Sequence, residues 1–282
     1  MSIAIISDTD TSLPQSSLGK WGIIQVPITI HFGEEVLSAC SEITDQGLVD
    51  RVVRDGVMPT TAAPSPGAFS EAYQQAFDNG ADEIVCLTVS AGVSATYQSA
   101  LAAKELHPGR KITVFDTESI SMGQGFMVLE AARLAREGKS TEEILTAAVE
   151  VRERTHLYAA LDTLKFMAMS GRIGHLTAEM ANVLNIKPIL TILDGKLDLL
   201  EKVRTRKKAW ARVLELSRES LGEGEIDQMY LLHVAAQDWA EEFEGLLRSG
   251  LPCPDQITMT GLTPGLSVHT GAGLVGVAFT TR

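Results

Sequence analysis

A chain of 282 residues, 45% of them hydrophobic, holds enough apolar mass for one large domain or two ordinary ones, which excludes a disordered polymer. A formal charge of −12 repels nucleic acid and anionic membrane surfaces, so any anion site has to be built locally. No apolar stretch nears the ~20 residues of a membrane-spanning helix, and the opening run Ile3-Ala4-Ile5-Ile6 meets Asp8 too soon for a signal peptide.

Cys40, Cys86 and Cys253 are odd in number and far apart, which suits reduced, packed thiols better than a disulfide framework. The expectation is a cytoplasmic protein with no metal-ligand spacing. Along the first half, strand-like and helix-like runs alternate. Ile3 to Ser7 and Gly22 to Ile30 read as strands, and Asp45 to Asp55 reads as a helix with Gly56 at its C′ position. Ser65 caps the next helix, Pro66 sits in the first turn where a missing N–H costs nothing, and Gly80 follows the end. Ile84 to Val89 is a short apolar run, hence a buried strand. Ser94 to Leu106 reads as a helix stopped by Pro108, Ile112 to Phe115 as a strand and Gly125 to Glu137 as a helix. Ser140-Thr141-Glu142-Glu143 is a capping box that opens another.

This alternation predicts an α/β layer with a mainly parallel sheet. From about His156 the texture changes. Leu157 to Leu161 reads as a strand, and Asp194-Gly195 between Ile189–Leu193 and Leu197–Val203 is a two-residue hairpin turn, so the second half reads as α+β. The expected division is 1–155 and 156–282, although no Pro/Ser linker marks it and later strands could rejoin the first sheet.

Four segments carry chemistry. In Ile84 to Gln98 a buried strand runs through Ser90-Ala91-Gly92-Val93-Ser94 into a helix, a geometry that aims backbone N–H groups at an anion, with the Ser94 hydroxyl as a further donor or as an ordinary N-cap. Thr60-Thr61-Ala62-Ala63-Pro64 leads into the helix start at Ser65, and ligands of parallel sheets sit where such loops gather. A plain polar loop is the better reading for Thr60. Near the C-terminus, Gly271, Gly273 and Gly276 have the GxGxxG spacing but open no helix inside a βαβ unit, so they are no dinucleotide fingerprint; they let the backbone turn closely around something. His269 beside them is either a carboxylate donor or a loop histidine. Lys202, Arg204, Arg206, Lys207 and Lys208 crowd the start of a helix expected near Ala209, where cations oppose the helix dipole. They form either a solvated face or, with Arg172, a dock for an acidic partner or a phosphate. Met122, Met127, Met167, Met169 and Phe166 make an adaptable apolar set, suited to a flexible chain or to plain core.

Taken in order, these segments resemble the DegV family. Ser7-Asp8-Thr9-Asp10-Thr11-Ser12-Leu13-Pro14 is similar to its N-terminal stretch ending in Leu-Pro, Thr61-Ala62-Ala63-Pro64-Ser65 to its Thr-Ser-Gln-Pro-Ser, and Ser94-Ala95-Thr96-Tyr97-Gln98-Ser99 to its Ser-Gly-Thr-Tyr-Gln-Ser. Gly171-Arg172-Ile173 matches the end of its Gly-Gly-Arg-Ile, Lys202 to Lys208 its basic strand, and His269-Thr270-Gly271-Ala272-Gly273 its His-Thr-Gly-Pro-Gly. The departures are Ala62-Ala63, Ala95, Ser170 and Ala272. The resemblance implies two α/β-type domains with a long-chain fatty acid between them and no other cofactor. The carboxylate would lie near Thr61, Ser94 and His269, and would be presented to a separate ATP-dependent kinase that docks at Arg172, Arg204 and Arg206. Such a carrier is no enzyme itself. Two alternatives stand beside it. A serine esterase or acyltransferase acting on lipids would use Ser94 in a nucleophile elbow with His269 as base, although the final Gly of GxSxG is absent. A lipid-responsive regulatory protein would bind the same ligand without a kinase.

Overall fold

The structure, a computed structural model, describes residues 2–172 and 186–282; Ile173 and Gly174 lie outside the described residues. β1 (Ile3–Asp8) enters a 3-10 turn, Thr9–Thr11, followed by α1 (Gln15–Trp21) and β2 (Ile24–Val26). β3 (Thr29–Phe32), β4 (Glu35–Ser38), α2 (Asp45–Asp55), β5 (Thr60–Ala62) and α3 (Pro66–Asp78) come next. β6 (Glu83–Thr88), α4 (Thr96–Lys104), β7 (Lys111–Asp116), α5 (Ser121–Arg136) and α6 (Thr141–Glu153) complete the first half. β1, β2, β6 and β7 form an all-parallel sheet in the order β2-β1-β6-β7, and β4-β3-β5 form a small antiparallel one.

The expected strand from Gly22 to Ile30 is two strands in two sheets. Gly22 is the left-handed cap of α1 at φ 67°, and Pro27, which has no N–H to give a ladder, lies between β2 and β3. Thr60 and Thr61, expected in a loop, lie in β5. The helix expected from Gly125 begins at Ser121, because Gly123 and Gly125 serve close packing inside it: a Cβ on Gly125 would stand 2.8 Å from the Thr11 carbonyl oxygen. The expected caps at Ser65 and Ser140–Glu143 are formed, and Gly56 is left-handed at φ 66°.

The second half contains β8 (Thr155–Ala160), α7 (Lys165–Ser170), β9 (Lys187–Leu193), β10 (Lys196–Val203), α8 (Arg206–Leu221) and β11 (Ile226–His233). α9 (Gln237–Gly250), β12 (Thr258–Gly261), α10 (Pro264–Thr270) and β13 (Val275–Thr281) follow. Among the described residues its strands make one mixed sheet, β10-β9-β8-β13-β11-β12, antiparallel except where β11 meets β12. Asp194 and Gly195 both take positive φ in the β9–β10 hairpin, as a type I′ turn requires. The helix expected near Ala209 starts at Arg206, capped by the Thr205 hydroxyl.

α5 lies between the two larger sheets. Phe126, Met127 and Val128 of this helix share a core with Ile5, Val85 and Leu87 of the parallel sheet and with Leu157, Leu232 and Ala278 of the mixed one. The period of two then sorts the opposite faces: Ile84 and Cys86 pack with Phe69 and Tyr73 of α3, while Val277 and Phe279 pack with Trp210 of α8 and Phe243 of α9. Among the described residues no helix is long and apolar enough to cross a membrane. All three cysteines are free.

Candidate functional site

A cavity of ≈ 360 Å³ opens among the three sheets, and Thr61, Ser94, His269 and Arg172 all line it. Each arrives by a different route. Thr61 stands on β5, opposite Ile30 of β3. Ser94 follows the end of β6, where the chain leaves the sheet through a turn closed by Ser94 N–H donating to the Ser90 carbonyl at 3.1 Å. It is not the N-cap of α4. Ala95 holds that position without a side-chain cap, and the Ser94 Oγ accepts from Thr96 N–H at 3.3 Å and shares a hydrogen bond with Thr96 Oγ1 at 2.8 Å. His269 occupies the last turn of α10 rather than a loop.

Thr61 Oγ1 and His269 Nε2 share a hydrogen bond of 3.0 Å across 208 positions of sequence. Burial, helped by the positive charge of Arg172, brings the His269 imidazolium down to about 4, so the ring is neutral at pH 7. A neutral ring keeps one N–H donor and one acceptor. Opposite these groups the wall is apolar. Leu157, Ala159 and Leu161 come from one face of the β8 segment, and Leu190, Leu197, Leu232, Leu262, Leu266 and Leu274 come from β9, β10, β11, the residue after β12, α10 and the residue before β13. The arrangement suits a small hydrogen-bonding head joined to a flexible apolar tail.

Of the methionine set, Met167 alone lines the cavity; Met122 and Met127 are core, and Met169 is exposed. Phe166 fills the space over Gly271, whose missing Cβ would collide with its ring. The C-terminal glycines therefore turn around protein, since Gly273 is pressed against Trp239 and Asp162 in the same way. Arg172 is exposed, so it marks a place where the cavity reaches the surface. Arg204 is exposed and away from the cavity. The Arg206 guanidinium lies 4.0 Å from the Trp239 ring centroid and 5.1 Å from that of Trp210, with Glu242 4.0 Å away, so it is held as a clamp between α8 and α9.

The residue missed in the sequence is Asp10, whose carboxyl lines the cavity beside Ile28 and Gly265. Burial and the neighbouring Asp8 carboxylate hold it well above the usual carboxylate range. Its position just beyond the carboxyl end of β1, where ligands of parallel sheets gather, was the available signal. Ser94 and His269 each bond another hydroxyl, and among the described residues no carboxylate hydrogen-bonds the His269 ring. Among the described residues, Ser94, His269 and a carboxylate are not hydrogen-bonded in series. Nor do the described residues hold a cluster of three or more metal-ligating side chains.

A family model, DegV, described as "Uncharacterised protein, DegV family", matches residues 2–282. A DegV domain-containing protein of Streptomyces coelicolor is 34% identical over 280 residues, covering 99% of both chains. One from Deinococcus radiodurans is 35% identical over 282 residues, covering 99% of this chain and 98% of its own. Among solved structures, a fatty-acid-binding DegV family protein from Thermus thermophilus superimposes with a TM-score of 0.91 at 32% identity, with both chains covered completely. DegV of Bacillus subtilis, a fatty acid binding protein, superimposes with a TM-score of 0.88 at 26% identity over the whole of both chains. With the family model spanning the chain and relatives aligned end to end, the chain belongs to the DegV family.

Proposed function

We propose that this protein is a carrier that holds one long-chain fatty acid, its carboxylate at Thr61, Ser94 and His269 and its tail among the leucines, and presents the carboxylate to a separate ATP-dependent kinase. The observation that carries the proposal is the meeting of these three hydrogen-bonding side chains with a leucine-rich wall in one cavity. The fatty-acid-binding relatives from Thermus thermophilus and Bacillus subtilis support the ligand class. Arg172 and Arg204, exposed cations on an acidic protein, are the groups offered to the kinase. The clamp formed by Arg206 gives that residue a packing role as well. The chain divides near residue 155, and the support for this is that among the described residues no strand from Thr155 onward pairs into the parallel sheet.

Each buried methylene contributes ~0.8 kcal/mol, so a tail of about sixteen carbons gains on the order of 10 kcal/mol before ordering costs of several kcal/mol. The surplus favours slow release. Purified protein should therefore carry a fatty acid at about one per chain, read by organic extraction and mass spectrometry. Protein from a lipid-replete host that carries none, and binds none when it is offered, would overturn the proposal.

A further inference from the structure

Six consecutive polar residues, Ser7-Asp8-Thr9-Asp10-Thr11-Ser12, are each at most 6% exposed. Buried polar groups persist where they are hydrogen-bonded, and the partners of three of them form a pattern. Asp8 Oδ2 accepts from Val89 N–H at 2.7 Å, at the end of β6, five residues before Ser94. Thr9 Oγ1 accepts from Ile28 N–H at 3.0 Å, immediately before β3, whose Ile30 pairs with Thr61. Asp10 Oδ1 accepts from Thr263 Oγ1 at 3.2 Å, and Thr263 is the N-cap of α10, the short helix whose last turn carries His269.

An N-cap threonine ordinarily satisfies an N–H of its own helix. Thr263 makes no such bond, because its hydroxyl is directed at Asp10. Gly265, one turn position further on, comes so close that a Cβ there would collide with Asp10 Oδ1. α10 is thus seated on Asp10 by a hydrogen bond and by contact.

We propose that Asp8-Thr9-Asp10 is the positioning hub of the head-group site, each residue fastening one of the three segments that carry Ser94, Thr61 and His269. The inference rests on the carboxylate role given to those residues above. Asp8, Thr9 and Thr263 do not line the cavity, so they act through the groups they hold. Asp10 does line it, and its own substitution would mix contact with positioning. Thr9 and Thr263 are the clean spokes.

The experiment compares delipidated full-length protein with Thr9→Val, Thr263→Val, Thr9→Ser and Thr263→Ser, using hexadecanoic acid and its methyl ester as probes. The two probes share a tail and differ in the head. A hub that positions donors for the carboxylate predicts that the ratio of acid to ester affinity falls about five- to tenfold in the valine variants and returns in the serine variants. Thermal unfolding confirms that each variant is folded, and should Thr9→Val not fold, Thr263→Val decides. A wild-type preference for the acid that survives in the valine variants overturns the hub alone, as does an equal loss of acid and ester. A wild type that does not prefer the acid overturns the head-group site, and the hub falls with it.

Discussion

The neutral imidazole of His269 in the cavity lining should make the stability of the delipidated protein sensitive to acid. His269 titrates near 6.5 when unfolded and about 4 when folded, so between these values the unfolded chain binds more protons and stability falls as pH falls. The full contribution is present above pH 6.5 and is lost as pH drops through 4. Its size is ~3 kcal/mol, most of it gone by pH 4.5. His269→Gln keeps a hydrogen-bonding side chain but cannot titrate, and it should therefore be less acid-sensitive than wild type. The assay is urea unfolding of both proteins at pH 7 and pH 4.5. His156 and His233 are also shifted downward by burial, but they are common to both proteins and cancel in the difference. Loading with a fatty acid should shrink that difference, because a carboxylate beside the ring favours the imidazolium. Equal loss of stability on acidification in wild type and His269→Gln, both delipidated, would refute the buried neutral histidine. A difference that fatty acid leaves untouched would place the carboxylate away from His269.

Gly265→Ala should destabilise the protein by about 1–3 kcal/mol, since its Cβ meets the buried Asp10 carboxyl in a packed first turn; unfolding in urea measures the loss. Arg204→Glu should leave fatty-acid affinity within about twofold of wild type and slow phosphorylation of the bound fatty acid in a reconstituted kinase assay, because a surface cation acts mainly on encounter with an acidic partner; Arg172→Glu, which puts an anion into the lining of the cavity beside His269, should slow phosphorylation and weaken fatty-acid affinity together.

Much of the fold was legible where a local rule has one physical outcome. Ser65-Pro66 and the Ser140–Glu143 box make helix starts, and Asp194-Gly195 makes a hairpin, because few other conformations satisfy their donors and dihedrals. Boundaries failed where tertiary contacts decide. The helix expected from Gly125 starts at Ser121, because Gly123 and Gly125 lie inside α5 where Ser119 and Thr11 crowd the helix. Thr60 and Thr61 look like a loop because a three-residue strand has too little pattern to announce itself, and the ladder is supplied by β3.

The two ends of the site differ in the same way. Thr61, Ser94 and His269 stand out as hydroxyls near helix starts and a histidine beside glycines, so their chemistry is visible one residue at a time. The apolar wall of the cavity has no such signature. In β8, Leu157 and Ala159 face the cavity while Tyr158 and Ala160 face the α8–α9 core, and both faces are apolar enough to bury. Alternation shows that the strand has two faces and leaves open which one meets a ligand. The polar run from Ser7 to Ser12 is the reverse case. Its composition is that of a surface turn, yet it is buried, because Val89 N–H, Ile28 N–H and the Thr263 hydroxyl all need acceptors at the point where the parallel sheet, the small sheet and α10 converge. Those demands come from segments 19, 81 and 253 residues away. A polar turn becomes an interior one when distant donors converge on it, and that convergence exists only in the folded chain.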